Sequence, residues 1–242
     1  MQYMLIHAVD EDIHLDEVQK ARDASTLATW LEQVIGLGVD LHGSRLRPTV
    51  SATTVKVRDG EVLMSDGPFA ETKEQIGGYD VLECASLDET VQWASKHPTA
   101  LIGSIEVRPL HDSPPPGPLP PANDGKTRYM LLVCRGEDFA TGPQGSAEIG
   151  PTTHAWVREM DGRGVRLFGS RLAGADQAKT VRVKDDQVLV TDGPFAETKE
   201  LIAGFDILEC ADLDEALEVA AAHPEAKFGT LELRPFWPFG CD

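Results

Sequence analysis

The chain has 242 residues, of which 41% are hydrophobic, and its formal net charge at pH 7 is -18. An acidic charge of this size, with no cluster of Lys and Arg to offset it, argues against nucleic acid or an anionic membrane as a partner. No run approaches the roughly 18 apolar residues that span a bilayer, and the N-terminus lacks the pattern of a secretory signal, so we expect a cytoplasmic protein.

The sequence repeats itself at a constant offset of 126 residues (192 − 66). The nine residues 66–74 return unchanged as 192–200, and residues 43–46 return as 169–172. A string of turn-forming and charged residues has no packing pattern of its own to preserve. Its retention therefore predicts either a demanding backbone geometry or a functional site.

The repeat predicts two domains, at residues 1–110 and 128–242, joined by a linker at 111–127. The linker contains six prolines between Pro114 and Pro121. A polyproline II segment of this length is stiff and spans roughly 25 Å, which is enough to cross one small domain. We therefore expect the two copies to dock as an internal pseudo-dimer.

The elements predicted in the first copy run in the order strand, helix, strand, hairpin, strand, helix, strand. This order is typical of an α+β fold with two ferredoxin-like domains, each an antiparallel sheet with helices on one face. Docking two such sheets face to face would bury both bare faces. The predicted elements are 3–9, 26–35, 41–46, 54–58 with 62–64, 79–85, 87–96 and 103–108.

Several segments, in order, resemble the DGPF branch of the YCII-related family. They are the Asp-Gly-Pro-Phe string, the Gly-Tyr-Asp-Val-Leu-Glu strand, the Asp-Glu helix start and the closing Glu-Val-Arg-Pro. The resemblance covers both copies and implies a ferredoxin-like dimer of the dimeric α/β-barrel type. It also implies an active-site dyad of a His on the first helix and a facing Asp, and at least one relative looks like a lyase that eliminates halide from an aromatic substrate. Members often lie beside extracytoplasmic-function sigma factors, which implies a functional link to a sigma factor.

Transferred by position, the implied dyad falls in the second copy. The family's helical His matches His154 and its loop carboxylate matches Asp192, whereas Ala28 stands at the His position of the first copy. Imidazole is the side chain best suited to proton transfer near neutral pH, and a carboxylate within about 3 Å would orient it. The resemblance therefore implies one competent site and one degenerate copy.

Further residues are candidates for substrate binding, each with a structural alternative. An arginine can hold a carboxylate or enolate at two points, but it can equally pair with one of the many acids of this chain. An Asp before Gly-Pro can build its own turn, and a Phe in the repeated string can plug an interface. The candidate substrate-binding residues are Ser170, Arg171, Phe195, Asp66 and Arg45.

No metal site and no nucleotide cofactor is expected, because the histidines lack metal-ligand spacing and no glycine-rich phosphate loop occurs. The first functional hypothesis is a cofactor-independent enzyme of lyase or isomerase type. In it, His154 removes a proton from a small carbonyl or phenolic compound while Asp192 orients the imidazole. The alternative is a non-catalytic module that binds a small molecule, or a protein partner in sigma-factor regulation, with the repeated loop as an interface.

Overall fold

A computed structural model describes residues 1–111, 119–136 and 143–237, and it gives only the backbone for 143–149. The first repeat supplies six strands and three helices. Its strands are β1 Gln2–Val9, β2 Asp40–Arg45, β3 Thr53–Arg58, β4 Glu61–Asp66, β5 Gln75–Glu83 and β6 Gly103–Pro109. Its helices are α1 Glu17–Gly36, α2 Leu87–Lys96 and α3 Thr99–Ile102.

The second repeat follows the same order of elements. Its strands are β7 Thr127–Gly136, β8 Arg166–Arg171, β9 Lys179–Lys184, β10 Gln187–Asp192, β11 Glu200–Cys210 and β12 Thr230–Pro235. Its helices are α4 Pro143–Arg163 and α5 Leu213–Ala222. Where α3 stands in the first repeat, the second has a short 3-10 turn, Pro224–Lys227.

These strands form two six-stranded antiparallel sheets. The strand orders are β10-β9-β6-β1-β5-β2 and β4-β3-β12-β7-β11-β8. In the first sheet the four strands β6-β1-β5-β2 come from one repeat and have the order of a ferredoxin-like fold, and β12-β7-β11-β8 repeat that order in the second. The prediction of two ferredoxin-like units, each an antiparallel sheet with helices on one face, is confirmed.

The two strands at one edge of each sheet come from the other repeat. Hairpin β9–β10 of the second repeat pairs with β6, with Ile105 opposite Val181. Hairpin β3–β4 of the first repeat pairs with β12, with Val55 opposite Leu231. Alternation of apolar and polar residues predicts that a segment is a strand but not which strand it joins, and for this reason the sequence did not reveal the exchange.

The chain therefore divides into two compact units that differ from the two sequence repeats. Unit 1 comprises Met1–Arg45, Thr72–Pro118 and Ala173–Glu197. Unit 2 comprises Leu46–Glu71, Leu119–Leu172 and Thr198–Asp242. Each unit contains the core strands of one repeat and the hairpin of the other.

Helix α1 is longer than the predicted segment 26–35. It begins after Asp16, whose carboxylate accepts from the Gln19 amide while the Gln19 side chain accepts from the Asp16 amide. This capping box satisfies two amides that a helix start leaves without intrahelical partners. The added N-terminal turns are largely exposed, so they carry no apolar stripe by which the sequence could have identified them.

In each unit, one buried tryptophan of the first long helix joins that helix to the second. Trp30 is 2% exposed, and its indole Nε1 donates to the carbonyl of Trp93 at 2.9 Å. Trp156 is 4% exposed and donates in the same way to the carbonyl of Val219 at 3.2 Å. These bonds fix the first helix against the second in both units, because a buried indole N–H requires an acceptor.

Residues 112–118 of the predicted linker lie outside the described part of the chain. Among the residues that are described, every helix is too short or too polar to cross a membrane.

The exchange predicts that a residue of the second repeat controls the stability of unit 1. Val181 is fully buried in the core of unit 1, so Val181→Ala should destabilise that unit by about 2 kcal/mol. We expect native-state hydrogen exchange to show lower protection in β1 and β6. Val55→Ala is the matched control, because Val55 is equally buried in the core of unit 2. Loss of protection in β7 and β12 on Val181→Ala would contradict the exchange.

Candidate functional site

The repeated loop is held in a backbone geometry that requires glycine. Gly67 and Gly193 have φ of 99° and 94°, a region that side-chain-bearing residues rarely adopt. Thr54 and Thr180 donate through their hydroxyls to the carbonyls of these glycines, each at 2.8 Å. The same turn therefore follows both exchanged hairpins.

Each exchanged hairpin pairs with the closing strand of the other repeat. A buried glutamate on that closing strand accepts a hydrogen bond from the loop that follows the hairpin. The amide of Phe69 donates to Glu232 at 2.8 Å, and the amide of Phe195 donates to Glu106 at 3.1 Å. Glu106 and Glu232 are each 1% exposed. Their charges are balanced within the same strand, by Arg108 and Arg234 respectively. These contacts anchor the loop after each exchanged hairpin to the sheet that the hairpin joins.

The two residues of the predicted dyad lie in different units. His154 is exposed on α4 of unit 2. Asp192 is exposed at the end of β10 in unit 1, where it forms an ion pair with Lys179. No contact within either unit joins the two side chains, and the dyad stays a prediction.

The predicted substrate-binding residues are also divided between the units. Arg45 and Phe195 belong to unit 1, and Asp66, Ser170 and Arg171 belong to unit 2. Ser170 is 8% exposed, and its hydroxyl donates to the carbonyl of Arg171 at 3.0 Å. Asp66 is exposed at the end of β4. These assignments stay predictions too.

A buried histidine–aspartate cluster lies in unit 1, which we name the His7 cluster: His7, Asp80 and His97. The three residues are each 6–7% exposed. Nε2 of His7 lies 2.8 Å from Oδ2 of Asp80, but the two groups are not aligned as a hydrogen bond. Nε2 of His97 lies 4.0 Å from the same oxygen, and the two imidazole rings meet edge to face at 4.3 Å.

Strand register and a turn bring the cluster together. His7 on β1 and Asp80 on β5 project from neighbouring strands on the helix side of the sheet, with Leu5 directly opposite Asp80. His97 ends α2, and its Nδ1 accepts from the amide of Thr99 at 3.2 Å. The imidazole of His97 therefore caps the turn that follows the helix.

The three donor atoms of the His7 cluster lie within 4.8 Å of one another, a spacing that suits a metal ion. The hydrogen bonding disfavours it. Because Nδ1 of His97 accepts an amide proton, a neutral His97 carries its own proton on Nε2, the nitrogen that would have to bind the metal. Only His7 and Asp80 are left as ligands, which is fewer than a zinc site uses.

Burial keeps the surrounding imidazoles neutral. It lowers the pKa of His97 to about 2, with the charge of His7 adding to the effect. It lowers the pKa of His42 to about 4. Nδ1 of His42 lies 3.3 Å from the hydroxyl of Tyr79.

A second carboxyl group, Asp40 at the start of β2, lies near the cluster. Burial raises the pKa of Asp40 to about 6, and the charge of Asp80 contributes to the rise. Oδ1 of Asp40 is buried and has no hydrogen-bond partner among the described residues. Burial and the repulsion between the two carboxylates both disfavour the charged form of Asp40, which is therefore costly above pH 6.

The corresponding position in unit 2 has different chemistry. Asp206 matches Asp80, and His223 matches His97, with Nε2 of His223 3.7 Å from Oδ2 of Asp206. Val133 replaces His7, and Arg166 replaces Asp40. Nε of Arg166 donates to Oδ1 of Asp206 at 2.6 Å. The two units therefore share the aspartate but not its partners.

Sequence reasoning missed the His7 cluster because His7 lies within an apolar strand and has no repeat equivalent. One signal was present. An aspartate stands inside an otherwise apolar strand in both copies, as Gly-Tyr-Asp80 and Gly-Phe-Asp206. A buried charge in a sheet needs a partner, and this requirement could have prompted a search for one.

These observations define a tandem ferredoxin-like protein with exchanged hairpins and a buried His–Asp cluster in one unit. The chain belongs to the family of the YCII-related domain, which matches residues 1–113 and 127–240. An uncharacterized protein of Rhizobium meliloti (strain 1021) is 49% identical over 69 residues, which is 28% of this chain. The match spans 56% of the length of that relative.

Solved structures that the chain matches include a putative chlorite dismutase and a haem-binding protein from Thermus thermophilus. The first is 8% identical with a TM-score of 0.47, covering 98% of this chain and 94% of the other. The second is 10% identical with a TM-score of 0.46, covering 99% and 92%. Neither haem binding nor chlorite dismutation follows for this chain from overlaps of this size.

The raised pKa of Asp40 predicts a pH-dependent gain in stability on Asp40→Asn. A carboxyl whose pKa rises on folding stabilises the fold fully below its unfolded pKa of about 4, and this contribution is lost as the pH rises through about 6. Two pKa units correspond to about 3 kcal/mol, which solvent screening at this partly exposed group reduces to about 1–2 kcal/mol. Asp40→Asn should therefore stabilise the protein by that amount at pH 7.5 and leave it unchanged near pH 4.

Urea unfolding at the two pH values measures this difference. Asp192→Asn is the matched control, because that carboxylate is exposed and its removal should change the free energy of unfolding by less than about 0.5 kcal/mol. Equal effects of Asp40→Asn at both pH values would contradict the raised pKa.

Proposed function

We propose that this protein is a cofactor-independent enzyme of lyase or isomerase type, in which His7 removes a proton from a small carbonyl or phenolic compound. The observation that supports this proposal is the contact of 2.8 Å between His7 and Asp80. A carboxylate beside one imidazole nitrogen orients the ring and stabilises the imidazolium that forms when the other nitrogen accepts a proton. The reaction type is the one that the sequence suggested, but the base is a different histidine.

The basic atom of this site is Nδ1 of His7. Asp80 attracts the proton of the neutral ring to Nε2, which leaves the lone pair on Nδ1. Oγ1 of Thr99 lies 3.2 Å from Nδ1. Thr99 is partly exposed, so it lies between the buried imidazole and solvent. A substrate would approach from this side and take the place of the threonine hydroxyl, or pass its proton through it.

His97 remains neutral beside the base. Burial lowers the pKa of His97 to about 2, so His97 adds no positive charge next to His7. His97 is fixed by the Thr99 amide, so it also forms a rigid wall beside the His7 ring. We assign it a positioning role, since it touches the base and not the reacting atoms.

Among the described residues, the corresponding position of unit 2 lacks the groups that such a site needs. Val133 stands where His7 would act, and Asp206 is already engaged by Arg166. The sequence placed the competent site in the second repeat, on His154 and Asp192. On the proposal made here it belongs to the first repeat, and the pair implied by the family resemblance becomes the competing hypothesis.

The proposal predicts that His7→Gln and Asp80→Asn abolish proton transfer. A positioned acid–base group contributes about 10²–10⁴-fold to rate, so losses of that size are expected for His7→Gln. Exchange of substrate protons for deuterium in D2O, followed by proton NMR, measures the step for a panel of small keto acids and halogenated phenols.

His154→Gln and Asp192→Asn are the comparison variants, and both should retain activity within about twofold. Near-ultraviolet circular dichroism separates loss of catalysis from loss of folding. Activity lost in the His154 and Asp192 variants, and kept in the His7 variant, would establish the competing pair. If the unmodified protein exchanges protons of none of these compounds, the non-catalytic module that the sequence also suggested is the better explanation.

A further inference from the structure

We propose that unit 1 binds a small organic cation, an ammonium or guanidinium group, between Asp40 and Asp80. This cation would be part of the substrate of the site proposed above, and that assignment rests on the proposed function. The cation site itself stands on a comparison of the two units, because unit 2 holds a guanidinium of its own at the same place.

In unit 2 that guanidinium belongs to Arg166. Nε donates to Oδ1 of Asp206 at 2.6 Å, and Nη2 donates to the carbonyl of Gly169 at 3.1 Å. Nη1 donates to Asp161 at 3.1 Å. A planar cation thus bridges a buried aspartate and a backbone carbonyl, an arrangement that suits the fork geometry of guanidinium.

Unit 1 keeps the acceptors of this arrangement. Asp80 and Gly43 match Asp206 and Gly169 at the offset of 126 residues. In both units the aspartate carboxylate lies directly over the glycine, since a Cβ added at either glycine would collide with the Oδ1 of the aspartate. Oδ1 of Asp80 therefore occupies the position that accepts from Arg166 in unit 2.

The two units differ in the cation, because unit 1 has Asp40 where unit 2 has Arg166. The change removes a positive charge and adds a negative one beside the same carboxylate. Nε2 of His7 contacts the other oxygen of Asp80, Oδ2, at 2.8 Å. Oδ1 of Asp40 is buried without a hydrogen-bond partner among the described residues, and neutral His42 contributes no charge. A bound cation would satisfy this oxygen and compensate its charge, as Arg166 does for Asp206.

The site would therefore suit a small molecule that has a cationic group at one end and an acidic hydrogen atom elsewhere. The cation would lie between the two carboxylates, and the acidic hydrogen would face Nδ1 of His7. Small amino-carbonyl or guanidino-carbonyl compounds have this chemistry. Asp40 carries no positive charge at the position where unit 2 has Arg166. The cation would therefore have to come from the ligand.

The test uses the full-length chain with methylguanidinium and ethylammonium chloride as probes. Titration at constant ionic strength, followed by amide NMR, should give saturable shifts at Gly43 and Asp80. Loss of one charge-assisted hydrogen bond weakens binding by about tenfold or more, which is the expected effect of Asp40→Asn. Asp40→Arg should abolish binding, because it supplies the guanidinium from within the chain. Glu83→Gln is the control, because that carboxylate is exposed at the end of β5 in the same unit, and it should bind as the unmodified protein does.

A converse variant tests the comparison between the units. Arg166→Asp should create a second saturable binding event, reported by the amides of Gly169 and Asp206. If that variant fails to fold, Asp40→Arg still decides the question within unit 1. Shifts that never saturate, or that are unchanged by Asp40→Asn and Asp40→Arg, overturn the cation site.

The cation site and the proposed reaction can fail separately. Cation binding that depends on Asp40, with proton exchange unaffected by His7→Gln, supports the binding site and removes the catalytic role. Proton exchange that depends on His7, in a protein that binds neither probe, overturns the cation proposal and keeps the enzyme.

Discussion

The exchange of hairpins is the constraint on which the rest of this structure depends. Each sheet is completed by two strands from the other repeat, and a buried glutamate on the closing strand binds the first amide after each Asp-Gly-Pro turn. Such a glutamate is stable only when both its charge and its hydrogen-bonding capacity are satisfied, and an arginine two residues along the same strand balances the charge. Residues in the loop and in the closing strand are therefore coupled between the two repeats.

This coupling accounts for the uneven conservation between the repeats. The loop and the Glu-x-Arg of the closing strand are the same in both copies because each copy must fit the other. The interior around the central aspartate is under no such requirement. There one unit has a histidine and a second carboxyl group, whereas the other has a valine and an arginine. Different chemistry has thus developed on one backbone geometry.

Much of the fold could be predicted from the sequence, since the alternation of residues in β1 and the turn residues at Asp59–Gly60 specify local structure. The partner of a hairpin is a long-range property that no local pattern contains, so the exchange could not be predicted. The His7 cluster was missed for a related reason. His7 and Asp80 are neighbours only through strand register, and His97 joins them only because its imidazole caps the next turn.

The contrast between Asp40 and Arg166 shows what covalent fusion of two copies permits. A single-repeat protein that assembled by the same exchange would place one residue at both positions. A substitution that buried an unpaired carboxyl oxygen would then bury it twice, at twice the cost in stability. In a tandem chain the two positions are inherited independently. One unit can keep an internal salt bridge and carry the stability of the pair, while the other is released to recognise a molecule from outside.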